Sequence, residues 1–201
     1  MAMFFAGISG NVTNLLYHPH DIGINDNSSE MYITDTRNHR IMLYRLGVDN
    51  GTIILGGQGP GTNKTQVYHP AALYFDSISN SILIANYLAH TIVRYTLGAH
   101  EWELIAGNIN GVSGSNSTML RNPHRVALDP MGNMYIADAN NHRIQFFYNG
   151  QLNGITIAGI TSVPHNNAST LNRPYSVILD NQLNLYVVDT FNHRIQKFLR
   201  Y

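Results

Sequence analysis

The tetrapeptide Asn-His-Arg-Ile is written at residues 38–41, 141–144 and 192–195, and Ala-His-Thr-Ile holds the corresponding place at 89–92. The histidines of these segments stand at 39, 90, 142 and 193, so the steps between them are 51, 52 and 51 residues. Prolines at 19, 70, 123 and 174 keep the same step, as do Asp35, Asn86, Asp138 and Asp189. Small-residue pairs recur with them at 6–7, 56–57, 106–107 and 158–159. A fixed period in this range means that one structural unit is arrayed, which overrides any element-by-element reading. Four copies, at about 17–67, 68–119, 120–170 and 171–201 with a leading strand at 3–8, fill all 201 residues as a single domain.

Inside one copy, short apolar or alternating runs are separated by turn residues. In the third copy the runs are RVALD (125–129), NMYIAD (133–138), HRIQFFY (142–148) and ITIAG (155–159), joined by links rich in Gly, Asn and Pro. Period-two runs of this length are strands, and helical spacing is absent. Four strands per unit, repeated, predict an all-β chain of four propeller blades, each of four antiparallel strands. The segment at 3–8 has the spelling of a fourth strand and the chain ends on a third one. Two arrangements follow: a closed small ring in which the leading strand completes the last blade, or an open arc of a larger propeller, whose edges would allow an oligomer.

The units "LRNPHRVALDPMGNMYIADANNHRIQFF" (120–147) and "LNRPYSVILDNQLNLYVVDTFNHRIQKF" (171–198) closely resemble the NHL repeat, named for its Asn-His-hydrophobic signature. The resemblance extends to the first copy and, in degraded form, to the second, where Asn86 and Thr91 replace the Asp and Arg of the others. It implies a propeller, more often of six blades than four.

The Asp that closes each second strand is expected to accept hydrogen bonds from the N–H groups of the following turn. The Arg five positions later is within reach of its carboxylate. Because Asn86 and Thr91 lose both charges together, Asp35–Arg40, Asp138–Arg143 and Asp189–Arg194 are expected to be charge partners, an unpaired half-buried charge being costly. His39, His90, His142 and His193 persist in all four copies, so they are read as packed, hydrogen-bonded elements of the blades and not as four copies of a catalytic group.

Twelve basic residues balance twelve acidic ones, and no basic run exists, which argues against nucleic acid as a partner. The absence of cysteine removes disulfides, thiolate metal sites and cysteine nucleophiles. The opening MAMFFAGISG is too short in its apolar part, and lacks the basic start, for a secretory signal; no window approaches the ~20 apolar residues of a membrane-spanning helix. Asn-x-Ser/Thr triplets begin at Asn11, Asn27, Asn50, Asn63, Asn116 and Asn167. They suit an exported glycoprotein, and they also arise by chance in a chain rich in these residues.

The long connections, at roughly 8–17, 58–68, 108–121 and 160–173, should emerge on the face that carries the Asn-His turns. The residue after each conserved-step proline, His20, Ala71, His124 or Tyr175, begins an innermost strand at the mouth of the central channel. His20, His124 and Tyr175 are therefore the candidate binding residues. Propeller peptidyl-amidating lyases resemble this repeat and place metal-binding histidines after a proline in the same way, but Ala71 leaves such a site one imidazole short. No nucleophile elbow, His-Glu-x-x-His or phosphate-binding Gly loop is present, and no cofactor or metal is called for. The leading reading is a non-enzymatic scaffold that takes a protein, peptide or glycan on its loop-bearing face. The alternatives implied by the resemblance are an amidating-lyase-like enzyme and an intracellular recognition module similar to the NHL ends of tripartite-motif ubiquitin ligases, some of which bind RNA. Tyr17, Tyr68, Tyr87, Tyr175, Tyr186 and Trp102 serve either partner contact or blade packing.

Overall fold

Apolar and polar residues alternate along each module, and Gly, Asn, Asp and Pro interrupt the alternation every few positions. The outcome is one meandering antiparallel sheet per module. A computed structural model describes residues 9–199. The first sheet runs β1 (Pro19–Asn25), β2 (Glu30–Asp35), β3 (Arg40–Arg45), β4 (Thr52–Gly56), each strand bonded to the next. The second is β5 (Pro70–Asp76), β6 (Ser81–Asn86), β7 (Thr91–Thr96), β8 (Glu103–Gly107), and the third β9 (Pro123–Leu128), β10 (Met134–Asp138), β11 (Arg143–Phe147), β12 (Ile155–Gly159). The fourth has β13 (Pro174–Leu179), β14 (Leu185–Asp189) and β15 (Arg194–Phe198). The described residues thus hold fifteen of the sixteen strands that the repeat predicts; the leading strand at 3–8 lies outside them. The whole is an all-β, four-bladed β-propeller, and among the described residues no helix is long and apolar enough to cross a membrane.

Each blade turns its second corner in the same way. A one-turn 3-10 segment, Thr36–Asn38 in the first blade, ends on the motif histidine, which takes a left-handed backbone: φ is 52° at His39, 58° at His90, 57° at His142 and 54° at His193. Histidine is among the few non-glycine residues enriched there, because its ring can bond locally. The recurrent glycine lies opposite. Gly56, Gly107 and Gly159 end the outer strands with φ of 80°, 96° and 81°, and a Cβ on any of them would collide with the carbonyl oxygen of His39, His90 or His142. The small-residue signal in the sequence marks that close approach.

Three apolar cores lie between consecutive blades. Tyr32, Ile41 and Leu43 of the first blade pack on Leu73, Ile84 and Val93 of the second. Leu83, Ala85 and Ile92 pack on Val126, Ile136 and Phe147, and Ala127, Ala137 and Ile144 on Val177, Leu185 and Val187. The innermost strands follow suit, β1 against β5, β5 against β9 and β9 against β13, with no comparable packing from β13 back to β1 among the described residues. The outer part of the first blade's leading side is covered by its own preceding segment: Leu16 packs beside Ile33, Met42 and Tyr44, and the Tyr44 hydroxyl donates to the Thr13 carbonyl (2.9 Å).

Candidate functional site

Pro19 pairs with Asp35 across β1 and β2, and Arg40 with Gly56 across β3 and β4. The start of the inner strand, the histidine turn and the end of the outer strand therefore share one face. The long connections 57–69, 108–122 and 160–173 leave from it.

On this face the Asp-Arg pairs are short, with all three carboxylates buried and only the Arg194 guanidinium partly exposed. Asp35 Oδ2 accepts from Arg40 Nε at 2.6 Å, Asp138 Oδ2 from Arg143 Nε at 2.8 Å, and Asp189 Oδ2 from Arg194 Nε at 2.7 Å. The expected bond from the turn N–H groups is not made. The other carboxylate oxygen reaches instead to the segment ahead of the inner strand, accepting from the N–H of Tyr17, Arg121 or Asn172 at 2.6–2.7 Å. Asn86 Oδ1 keeps this bond in the second blade, to Tyr68 N–H (2.6 Å), which is why an amide suffices there once the guanidinium is gone. Asn86 Nδ2 and Thr91 Oγ1 are left buried without partners.

The rest of each guanidinium holds the preceding connection by its main chain. Arg40 donates to the carbonyls of Asn11, Val12 and Leu15, Arg143 to those of Ser115, Asn116 and Met119, and Arg194 to those of Asn166, Asn167 and Thr170. The motif asparagines add one more carbonyl each: Asn38 reaches Gly10, Asn141 reaches Gly114 and Asn192 reaches His165.

The motif histidines fasten blade to blade. Nδ1 of His39 accepts the N–H of His69, Nδ1 of His90 that of Asn122, and Nδ1 of His142 that of Arg173, each at 3.1 Å. Accepting at Nδ1 requires that nitrogen to be unprotonated. Burial pushes the pKa of His39, His90 and His142 below the ordinary 6.5, with Arg121 beside His90, and Arg173 and Arg121 beside His142, acting in the same sense.

Inside the ring of turns, the residues that follow the prolines converge. His124 stacks on Tyr175 with ring centroids 4.3 Å apart and planes 8° from parallel, and His20 lies 6.3 Å from His124. Tyr87, one of the tyrosines open to partner contact or packing, and His69, which the repeat comparison does not single out, join them: His69 is 6.4 Å from His20, and Tyr87 is 5.9 Å from His124. His69 hides in the sequence because the place before each proline is filled by His18, His69, Asn122 or Arg173, which share only a left-handed backbone. Ala71, the one small residue of the set, is buried. One position further along the inner strands, Asp21 and Arg125 form a 3.0 Å ion pair between first and third blades, and Asp21 also accepts the N–H of Leu73 of the second. These rings therefore gather at the mouth in one cluster, called the cup below, with the Asp21–Arg125 charge pair one residue further along the inner strands. Burial, aided by His20, lowers the His124 pKa to about 4, and burial together with neighbouring cationic groups lowers those of His20 and His69. Among the described residues no three His, Cys, Asp or Glu side chains gather in a metal-holding group.

The remaining predicted positions lie apart from the cup. Asn116 and Asn167 shape tight turns, Asn116 Oδ1 accepting from Thr118 N–H and Oγ1 and Asn167 Oδ1 from Ser169 N–H and Oγ. Asn11 and Asn63 sit exposed in the first two connections, while Asn27 and Asn50 are exposed at hairpin ends. Tyr68 edges onto the ring of His39, and Tyr186 lies on the fourth blade beneath the Lys197 ammonium (5.1 Å). Trp102 is buried, its indole N–H donating to the Gln66 carbonyl (2.7 Å), so it packs the second connection and offers no surface to a partner.

A family model described as the NHL repeat matches residues 120–147, the stretch from Leu120 through β11. Among solved structures, the fold is similar to an auxiliary nutrient binding protein from Bacteroides thetaiotaomicron (TM-score 0.70, 16% identity, 88% of this chain and 46% of that one). It is also similar to one of the same description from Bacteroides ovatus (0.68, 16%, 91% and 48%) and to a streptogramin B lyase (0.66, 12%, 96% and 54%). The chain spans about half the length of these structures. At such identities the likeness concerns the fold. The third module thus carries a match to the NHL repeat, and the chain as a whole is a β-propeller of four blades.

Proposed function

We propose that the chain is a non-enzymatic binding scaffold that takes a protein, peptide or glycan ligand on its loop-bearing face, with His20, His124 and Tyr175 in contact with it. The observation that carries this reading is the convergence of those three rings, with His69 and Tyr87, in one cluster at the start of the inner strands. Neutral imidazoles offer one donor and one acceptor each, phenols the same, and the ring faces stack on flat apolar surface. That combination suits a sugar ring or a short peptide better than a phosphate or a metal ion. The structural likeness to proteins described as nutrient binding accords with it.

The enzyme alternative draws on the likeness to a streptogramin B lyase. In an amidating-lyase-like site a third imidazole would be needed where Ala71 stands, and His69, the nearest candidate, belongs to the approach to the inner strand and not to the strand itself.

Histidine side-chain NMR during titration with a series of neutral oligosaccharides and with a pooled library of short peptides tests the reading. The expected result is movement of the His20 and His124 ring signals with one class of probe, and a loss of at least about tenfold in affinity, roughly 1.4 kcal/mol, in Tyr175→Ala. Unmoved ring signals with both classes, or stoichiometric zinc that is lost in His124→Ala, would overturn it.

A further inference from the structure

The blade interfaces are built from equivalent positions, and among the described residues the first and fourth blades each carry one unused half. The residue two places before the turn Asp pairs with Ile22 in the first blade, Leu73 in the second, Val126 in the third and Val177 in the fourth. Leu73, Val126 and Val177 are 2%, 1% and 0% exposed because they pack on the preceding blade, whereas Ile22 is 49% exposed and Ile24, two positions on, 53%. At the other end the isoleucine that follows the motif Arg or Thr receives the next blade. Ile41, Ile92 and Ile144 are 0% exposed, but Ile195 is 63% exposed, with Ile178 beside it on the same sheet also open.

The polar latch shows the same asymmetry. His39, His90 and His142 each accept a main-chain N–H from the residue before the next blade's proline. Among the described residues His193 Nδ1 has no such donor, and His18, in the same left-handed conformation before Pro19, has no such acceptor for its N–H (φ 50° against 57°, 53° and 47° at His69, Asn122 and Arg173). An apolar patch on each end and a matched donor and acceptor beside them are the two sides of an interface that the chain already forms three times.

From this we infer that a second copy of the chain docks head to tail, the first blade of one copy on the fourth blade of the other, with Ile22 and Ile24 packing over Ile195 and Ile178 and the His18 N–H donating to His193 Nδ1. The contact is heterologous, since it joins two different surfaces, so it either closes into a ring or adds copies without limit. The recognition chemistry is that of the existing blade junctions, and it is independent of any ligand in the cup.

The experiment is sedimentation velocity of the full chain from low to high micromolar concentration, with the variants Ile24→Asp and Ile195→Asp. Both positions are exposed, and circular dichroism with thermal unfolding checks that each variant folds. The expected result is concentration-dependent assembly of the parent chain and a monomer for each variant alone. Mixing the two variants should restore a complex that stops at two copies, because each keeps one intact end. A monomeric parent throughout the range, assembly unchanged in both variants, or no complex in the mixture would overturn the inference.

Discussion

Across the junction of the third and fourth blades, His142 Nδ1 accepts the main-chain N–H of Arg173 at 3.1 Å, whereas among the described residues His193, the same residue one module later, accepts no such N–H. This pair of histidines provides an internal control. His142→Ala and His193→Ala impose the same side-chain loss at the same left-handed backbone, so that cost is common to both. The difference in stability isolates the latch and should be about 1 kcal/mol, the net worth of one hydrogen bond with its donor left behind. Urea unfolding of the two variants at low protein concentration reads it; equal midpoints would remove the latch from the account of how blades hold together.

Acid should loosen the protein well above the carboxylate range. His124 is lowered to about 4 in the folded chain against 6.5 in the unfolded one, and His20, His39, His69, His90 and His142 are lowered in the same direction. A depressed histidine means that the unfolded chain binds the proton first, so the stability present above pH 6.5 is lost as pH falls from 6.5 toward 4. His124 alone would contribute up to about 3 kcal/mol across that window. Thermal melts at intervals from pH 7.5 to 4 should show a steady fall in midpoint, reduced in His124→Phe.

The second blade invites repair. Asn86 Nδ2 and Thr91 Oγ1 are buried and unpaired where the other blades hold a carboxylate and a guanidinium. Asn86→Asp or Thr91→Arg alone would bury an uncompensated charge and should destabilise by about 3 kcal/mol or more. The double variant should recover most of that loss, and a double-mutant cycle gives the coupling directly. Additive losses in the pair would mean that the connection at 57–69 cannot present its carbonyls to a guanidinium.

Replacing Arg143 by Lys keeps the charge but gives up the planar fork that reaches Asp138 and the carbonyls of Ser115, Asn116 and Met119 together. Hydrogen exchange should accelerate in the connection 108–122 by an order of magnitude or so, equivalent to about 1.4 kcal/mol of local opening, while β10 and β11 stay protected.

The marks that made the modules legible are those fixed by backbone demands common to every blade: the proline that starts an inner strand, the left-handed histidine, and the glycine pressed against its carbonyl. Comparing copies finds such positions at once. The same comparison discards His69, because the place it occupies asks only for a left-handed backbone and a free N–H, which His18, Asn122 and Arg173 supply equally well. The sequence suggests that the Asp caps its own turn, since an Asx-turn is the local alternative; the oxygen goes instead to a residue 17 or 18 positions earlier, a contact that no local pattern announces. The function of Trp102 was open for the same reason, its partner Gln66 being 36 residues away. The cup also depends on distance in sequence, for the charge pair beside it joins Asp21 to Arg125.

Each guanidinium grips its connection through carbonyl oxygens alone, at three places spaced one and then three residues apart. Every amino acid owns that oxygen. Apart from the buried anchors of the connections, Val67, Leu120 and Leu171, a mutation in these segments leaves the grip intact so long as the chain path is kept, so their exposed side chains can be exchanged without unseating the blade. New exposed side chains can therefore be set on this face at little cost to the scaffold beneath.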